Sequence, residues 1–174
     1  TITEGKEGNN YVRRTTIVTP ERTLQQVEAA EYNEKILSGI HFSTTEYLLK
    51  EQEDFEAFRK YCPKHSSEDE EFILSQGVIA KEEVGDLGIT CPWAIGGVYN
   101  LVATYMDVQD MLCDALADEE YYEEYMNYFT DMVAEENEIY ARSVFDAVGI
   151  QGNIANGAIM GADYFDQYVL PYER

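Results

Sequence analysis

Four side chains stand where a binding pocket is expected: Trp93 after Cys91-Pro92, Tyr99 after Gly96-Gly97, and Asn153 and Asn156 after Gly152. Aromatic rings in a Pro- and Gly-containing segment at a strand end often line pockets, and asparagine amides offer neutral donors and acceptors to a ligand. Such a set shapes and orients a small-molecule substrate and does not itself react. Asparagine also tolerates left-handed turns, so either Asn is equally well a turn residue. Other constellations point to no chemistry. The two histidines, His41 and His65, lie in no zinc pattern such as His-Glu-x-x-His. Cys62 and His65 have Cys-x-x-His spacing, but two ligands do not make a metal site. There is no Gly-rich phosphate loop and no Gly-x-Ser-x-Gly elbow, and Gly96-Gly97 is too short for either.

These residues must be positioned by residues 84–174. Residues 118–146 predict one long helix. Tyr122, Tyr125, Met126, Phe129, Met132, Val133, Ile139, Tyr140 and Val144 recur at spacings of three and four or their sums, with acids mostly elsewhere. Asp118 can accept from free backbone N–H groups, and Glu119 and Glu120 suit the positive end of the helix dipole. Residues 86–90 read as a strand before this helix and residues 147–151 as a strand after it. Strand, helix, strand is a βαβ unit of a parallel sheet, whose functional loops leave the C-terminal strand ends. Those loops are residues 91–100 and 152–161.

Residues 1–20 predict an N-terminal β-hairpin turning at Lys6 to Asn10. Residues 20–39 fit strand or helix equally, and Val27, Ala30 and Ile36 do not decide between them. A helix within residues 44–62 is halted by Pro63, and Ser66 caps a second helix, with a break expected near Gly77. The 14 tyrosines fall largely at helical core spacing, where they pack.

Composition excludes several classes. Apolar residues make up 45% of the chain, which argues for a packed core, and a formal charge of −22 argues against nucleic acid or anionic membrane as partner. Three cysteines at wide spacing suggest a reducing cytoplasm, and no apolar run reaches membrane-span length. A start at Thr1 without methionine, and an end just after a helical start, suggest a single partial domain over residues 1–174. Within it, residues 1–83 are the hairpin and helices and residues 84–174 the βαβ core.

Taken in order, Thr19-Pro20-Glu21-Arg22-Thr23-Leu24, the segment from Glu46 to Phe55, Pro92-Trp93 with its Gly-rich continuation, the helix opening at Asp118, and Gly152 leading to Leu170-Pro171-Tyr172 resemble the uroporphyrinogen decarboxylase family. The resemblance spans nearly the whole chain. It implies an α/β fold, part of a (β/α)8 TIM barrel about twice this length, with Trp93, Tyr99, Asn153 and Asn156 facing one substrate cavity. The family contains porphyrinogen decarboxylases and methyltransferases that move methyl groups between corrinoids and thiols or other acceptors. Val98 stands where the decarboxylase pattern has a tyrosine, the second loop lacks its serine, and no arginines gather on either loop. A substrate with many carboxylates needs arginines, so the methyltransferase branch is favoured, with the decarboxylase or a non-catalytic binding relative as alternatives. Zinc and a corrinoid are then expected in the full-length protein, with their ligands outside this chain and no cofactor bound by the chain alone. A corrinoid protein is a candidate partner, and a half barrel with open sheet edges should self-associate.

Overall fold

The computed structural model describes residues 1–31, 41–62, 64–94 and 96–174. The chain divides into two compact units, Thr1–Cys62 with Thr104–Met111, and Pro63–Ala103 with Leu112–Arg174.

The first unit is built on an open antiparallel sheet in the order β1 (Ile2–Glu7), β2 (Asn10–Val18), β3 (Thr23–Glu31), β4 (Ser43–Glu46). The expected N-terminal hairpin is present, with Glu7 opposite Asn10 across the turn. Thr19 shapes the next turn: its hydroxyl accepts the Arg22 N–H at 2.9 Å and donates to the Arg22 carbonyl at 2.8 Å. The undecided stretch after Pro20 is strand over Thr23–Glu31, held by a register against β2 that runs from Val18 opposite Thr23 to Asn10 opposite Glu31. Ile36 and the rest of residues 32–40 lie outside the described residues, as does Pro63. Helix α1 (Gln52–Tyr61) starts where the Asp54 carboxylate accepts the backbone N–H groups of Lys50 and Glu51 and meets Arg22 Nε at 3.0 Å. Leu24, Leu48, Leu49, Phe55 and Phe58 are buried, and the Phe58 and Tyr105 rings pack at 5.3 Å.

In the second unit, Ser66 and Asp69 form a reciprocal capping box for α2 (Ser67–Val84). This helix runs through Gly77 unbroken, because Gly77 is buried against Val144 and Phe145 and its missing side chain makes room for them. Two helices, α3 (Val98–Tyr105) and α4 (Val108–Ala117), occupy residues expected to be loop or left unassigned. Helix α5 (Glu119–Arg142) follows, with the Asp118 side chain accepting the Tyr121 N–H at 3.3 Å. It is continuous, as its spacing predicts, and buries Tyr122, Tyr125, Met126, Phe129, Met132, Val133 and Ile139. Short helices α6 (Gly157–Met160) and α7 (Ala162–Tyr164) lead into a π-helical turn, Phe165–Val169.

Further expectations are corrected. Helix α5 stops at Arg142 and not at Asp146, because Ser143 turns the chain and Asp146 is engaged with Thr90. Residues 86–90 are not a strand; Gly85–Leu87 forms a 3-10 turn, and Leu87 and Ile89 are exposed. A TIM barrel is not seen: the fold is mixed α/β, the only multi-stranded sheet among the described residues is open and antiparallel, and parallel pairing is confined to one short contact, Trp93 with Gly149. Two paired segments cannot close a barrel that needs eight. No helix among the described residues is long and apolar enough to cross a membrane.

Phe129 is fully buried at the centre of the α5 face. Phe129→Ala should lower unfolding stability by about 3–5 kcal/mol, measured by denaturant titration.

Candidate functional site

The candidate site grows from the parallel contact. Asp146 and Ala147 N–H groups donate to the Thr90 carbonyl at 3.0 and 3.3 Å, and the Gly149 N–H donates to the Pro92 carbonyl at 2.8 Å. The Ala94 N–H returns to the Gly149 carbonyl at 3.0 Å, and the Gly97 N–H reaches the Gln151 carbonyl at 3.0 Å. Gly149 thus bonds on both sides of Trp93, which is the slanted pattern of parallel strands. Residues 90–94, with Gly96 and Gly97 beyond, therefore run beside residues 146–151, and the following loops leave at the same end.

Asp146 fastens the start of this pair. Its carboxylate accepts the Thr90 N–H at 2.8 Å and the Thr90 hydroxyl at 3.0 Å, and pairs with Lys81 from α2. The Lys81 hydrogen bond and those from Thr90 hold the Asp146 carboxyl down at about 2.

At the other end the two loops are tied by Asn100. Its Oδ1 accepts the Ile154 and Ala155 N–H groups at 3.0 and 3.3 Å, while its Nδ2 donates to Asn153 Oδ1 at 2.6 Å. Asn156 Nδ2 donates to the Asn153 carbonyl at 2.7 Å, and its Oδ1 caps α6 through the Ala158 N–H at 3.0 Å. The structure thus brings Asn153 and Asn156 together, with amides that organise the loop.

Trp93 and Tyr99 go separate ways. Trp93 is 71% exposed, and its indole lies so close over Gly149 that a Cβ there would stand 2.8 Å from the ring. Tyr99 is 0% exposed, in the first turn of α3. Burial, with the Tyr164 phenol beside it, pushes the Tyr99 hydroxyl well above the ordinary phenol range. It belongs to a tyrosine core in which the Tyr122 ring meets Tyr125 edge-on at 5.2 Å and Tyr168 at 5.9 Å. Tyr99 thus packs inside the core, while Trp93 is exposed. Beside them lies a cleft of about 210 Å³ that includes Gly96, Gly97, Val133, Ile150, Tyr172 and Glu173 in its walls.

Asn100, Thr90 and Asp146 carry the geometry and were not singled out in the sequence. Asn100 had a signal, since its loop faces another with two further asparagines; the Thr90 to Asp146 junction had none. His65 is packed against α5, its Nε2 3.1 Å from the Met132 carbonyl and 4.0 Å from the buried Glu136 carboxylate. Among the described residues no three His, Cys, Asp or Glu side chains converge on a point that could hold a metal. Comparisons with protein-family models, curated proteins and solved structures give no match.

Because the Asp146 carboxyl is depressed in the folded chain, its contribution is complete above the ordinary aspartate value near 3.9 and fades as pH falls toward about 2. Asp146→Asn should lose stability at pH 6 and show a flatter decline below about pH 4, followed by thermal unfolding across pH.

Proposed function

We propose that this chain is part of an enzyme of the uroporphyrinogen decarboxylase type, more specifically a methyltransferase acting between a corrinoid and a thiol or other acceptor. The observation that carries this reading is the parallel contact of Trp93 with Gly149 across a helical crossover, with both following loops tied by Asn100. Loops at C-terminal strand ends are where such folds place substrate. Trp93 and Asn153, both exposed there, would shape and orient it.

Charge supports methyl transfer over decarboxylation of a polycarboxylate. Arg13, Arg14, Arg22 and Arg142 are each paired with carboxylates of this chain. Arg174 is a single cation at the cleft. Among the described residues no three His, Cys, Asp or Glu side chains converge to hold zinc. The cleft of about 210 Å³ is smaller than the roughly 300 Å³ of ordinary ligand pockets; a corrinoid, when bound, would supply the methyl group.

Among the described residues no strand pairs with the outward side of Cys91 and Trp93 or of Val148 and Ile150, and Ile89, Trp93 and Ile150 are exposed. Open edges and apolar exposure support self-association or completion by further strands. The cysteines are free thiols, which agrees with a reducing, cytoplasmic setting.

Full-length protein supplied with a methyl-corrinoid and a thiol should consume the methyl-corrinoid absorbance and form the thioether, leaving uroporphyrinogen intact. Decarboxylation of uroporphyrinogen without methyl transfer would select the alternative enzyme. Neither reaction, with retained ligand binding, would reduce the chain to a binding relative.

A further inference from the structure

The oxygen and nitrogen of a carboxamide are told apart by what they bond, and at Asn100 the assignment is forced. Its Oδ1 takes two backbone N–H groups, from Ile154 at 3.0 Å and Ala155 at 3.3 Å, which only an oxygen can accept. Nδ2 therefore points at Asn153, and a donor there admits only the Asn153 side-chain oxygen, at 2.6 Å, as its partner. The Asn153 Nδ2 is thereby turned away from Asn100. It has no partner among the described residues, and Asn153 is exposed. Asn100 thus sets which end of the Asn153 amide meets solvent.

The segments around that amide are uncharged. In a chain that is 26% charged and carries a formal charge of −22, residues 91–103 and 147–162 contain no Asp, Glu, Lys, Arg or His. These are the segments that meet at the parallel contact and lead into both loops, and Trp93 and Ile150 give them exposed apolar surface. A carboxylate ligand would find no cation on them, and an ammonium group no carboxylate. A neutral carbonyl oxygen fits, because it accepts from Asn153 Nδ2 and brings no charge that must be compensated.

We infer that Asn100 is a positioning residue that holds the Asn153 amide with its N–H groups outward, and that these groups bind a neutral carbonyl oxygen of the carboxamide class. The ligand rests on the methyl-transfer reading, since a corrinoid carries carboxamides around its ring; the amide polarity does not.

Three substitutions in the full-length protein test this. Asn153→Asp keeps an oxygen for Asn100 and removes the outward donors, and Asn153→Ala removes them without adding charge. Asn100→Asp still accepts from Ile154 and Ala155 but faces Asn153 with a carboxylate, so the Asn153 amide should reverse and turn its oxygen outward. In side-chain amide exchange followed by NMR, Asn153 should exchange freely in the wild type and slow several-fold in Asn100→Asp. Titrated with methylcobalamin, each variant should show a Kd raised about tenfold, the loss expected for one hydrogen bond, with the thermal midpoint of Asn153→Asp unchanged. A protected Asn153 side-chain amide in the wild type, or wild-type affinity in Asn153→Ala, would overturn the inference. No methylcobalamin binding by the wild type would instead refute the corrinoid reading and the ligand named here, while the exchange rates still decide the amide polarity.

Discussion

The exchange of hydrogen bonds between Thr90 and Asp146 is the constraint on which the second unit depends. Thr90 is buried and donates both its N–H and its hydroxyl to the Asp146 carboxylate, while its carbonyl takes the Asp146 N–H. A buried threonine without these partners would leave polar groups unsatisfied, at a cost of about 1–3 kcal/mol each. This junction fixes the register at the start of the parallel pair, so that Gly149 falls opposite Trp93 and Gly97 reaches Gln151. The register in turn places Asn100 within reach of Asn153, Ile154 and Ala155. Loop geometry is therefore inherited from a junction at the opposite end of the pair.

Much of the architecture is written in local pattern. The α5 face is legible because its apolar residues keep a helical period without interruption by Gly or Pro, and the Ser66 cap is legible because serine is followed by acids in the first turn. What was not legible is tertiary. Leu87 and Ile89 alternate like a strand, yet no neighbouring strand pairs with them among the described residues, and both are exposed. Residues 25–30, Gln-Gln-Val-Glu-Ala-Ala, suit a helix by propensity, and pairing with β2 makes them strand. Asp146 continues the helical composition of α5 but is drawn off by Thr90.

The candidate site was legible in position more than in role. Asn153 and Asn156 do share a loop at the end of the parallel pair, but their amides are spent on Asn100, on the backbone and on the α6 cap. Tyr99 looked like a loop aromatic because Gly96-Gly97 precedes it. Its backbone N–H instead meets Glu173, a residue 74 positions away, and its ring joins the tyrosine core. Glycines before an aromatic mark a pocket or a helix start equally, and only the distant carboxylate separates the two.

Residues 90–94 run parallel beside 146–149 about the single contact of Trp93 with Gly149, with no further strand paired to either among the described residues. Amide exchange residue by residue, at concentrations where the protein is monomeric, tests it most directly. Inward amides of Ala94 and Gly149, which donate at 3.0 and 2.8 Å, should be protected, while the outward amides of Cys91, Trp93 and Ile150 exchange freely. Uniformly fast exchange along both segments, or protection of the outward amides instead, would contradict the parallel pair and the functional reading built on it.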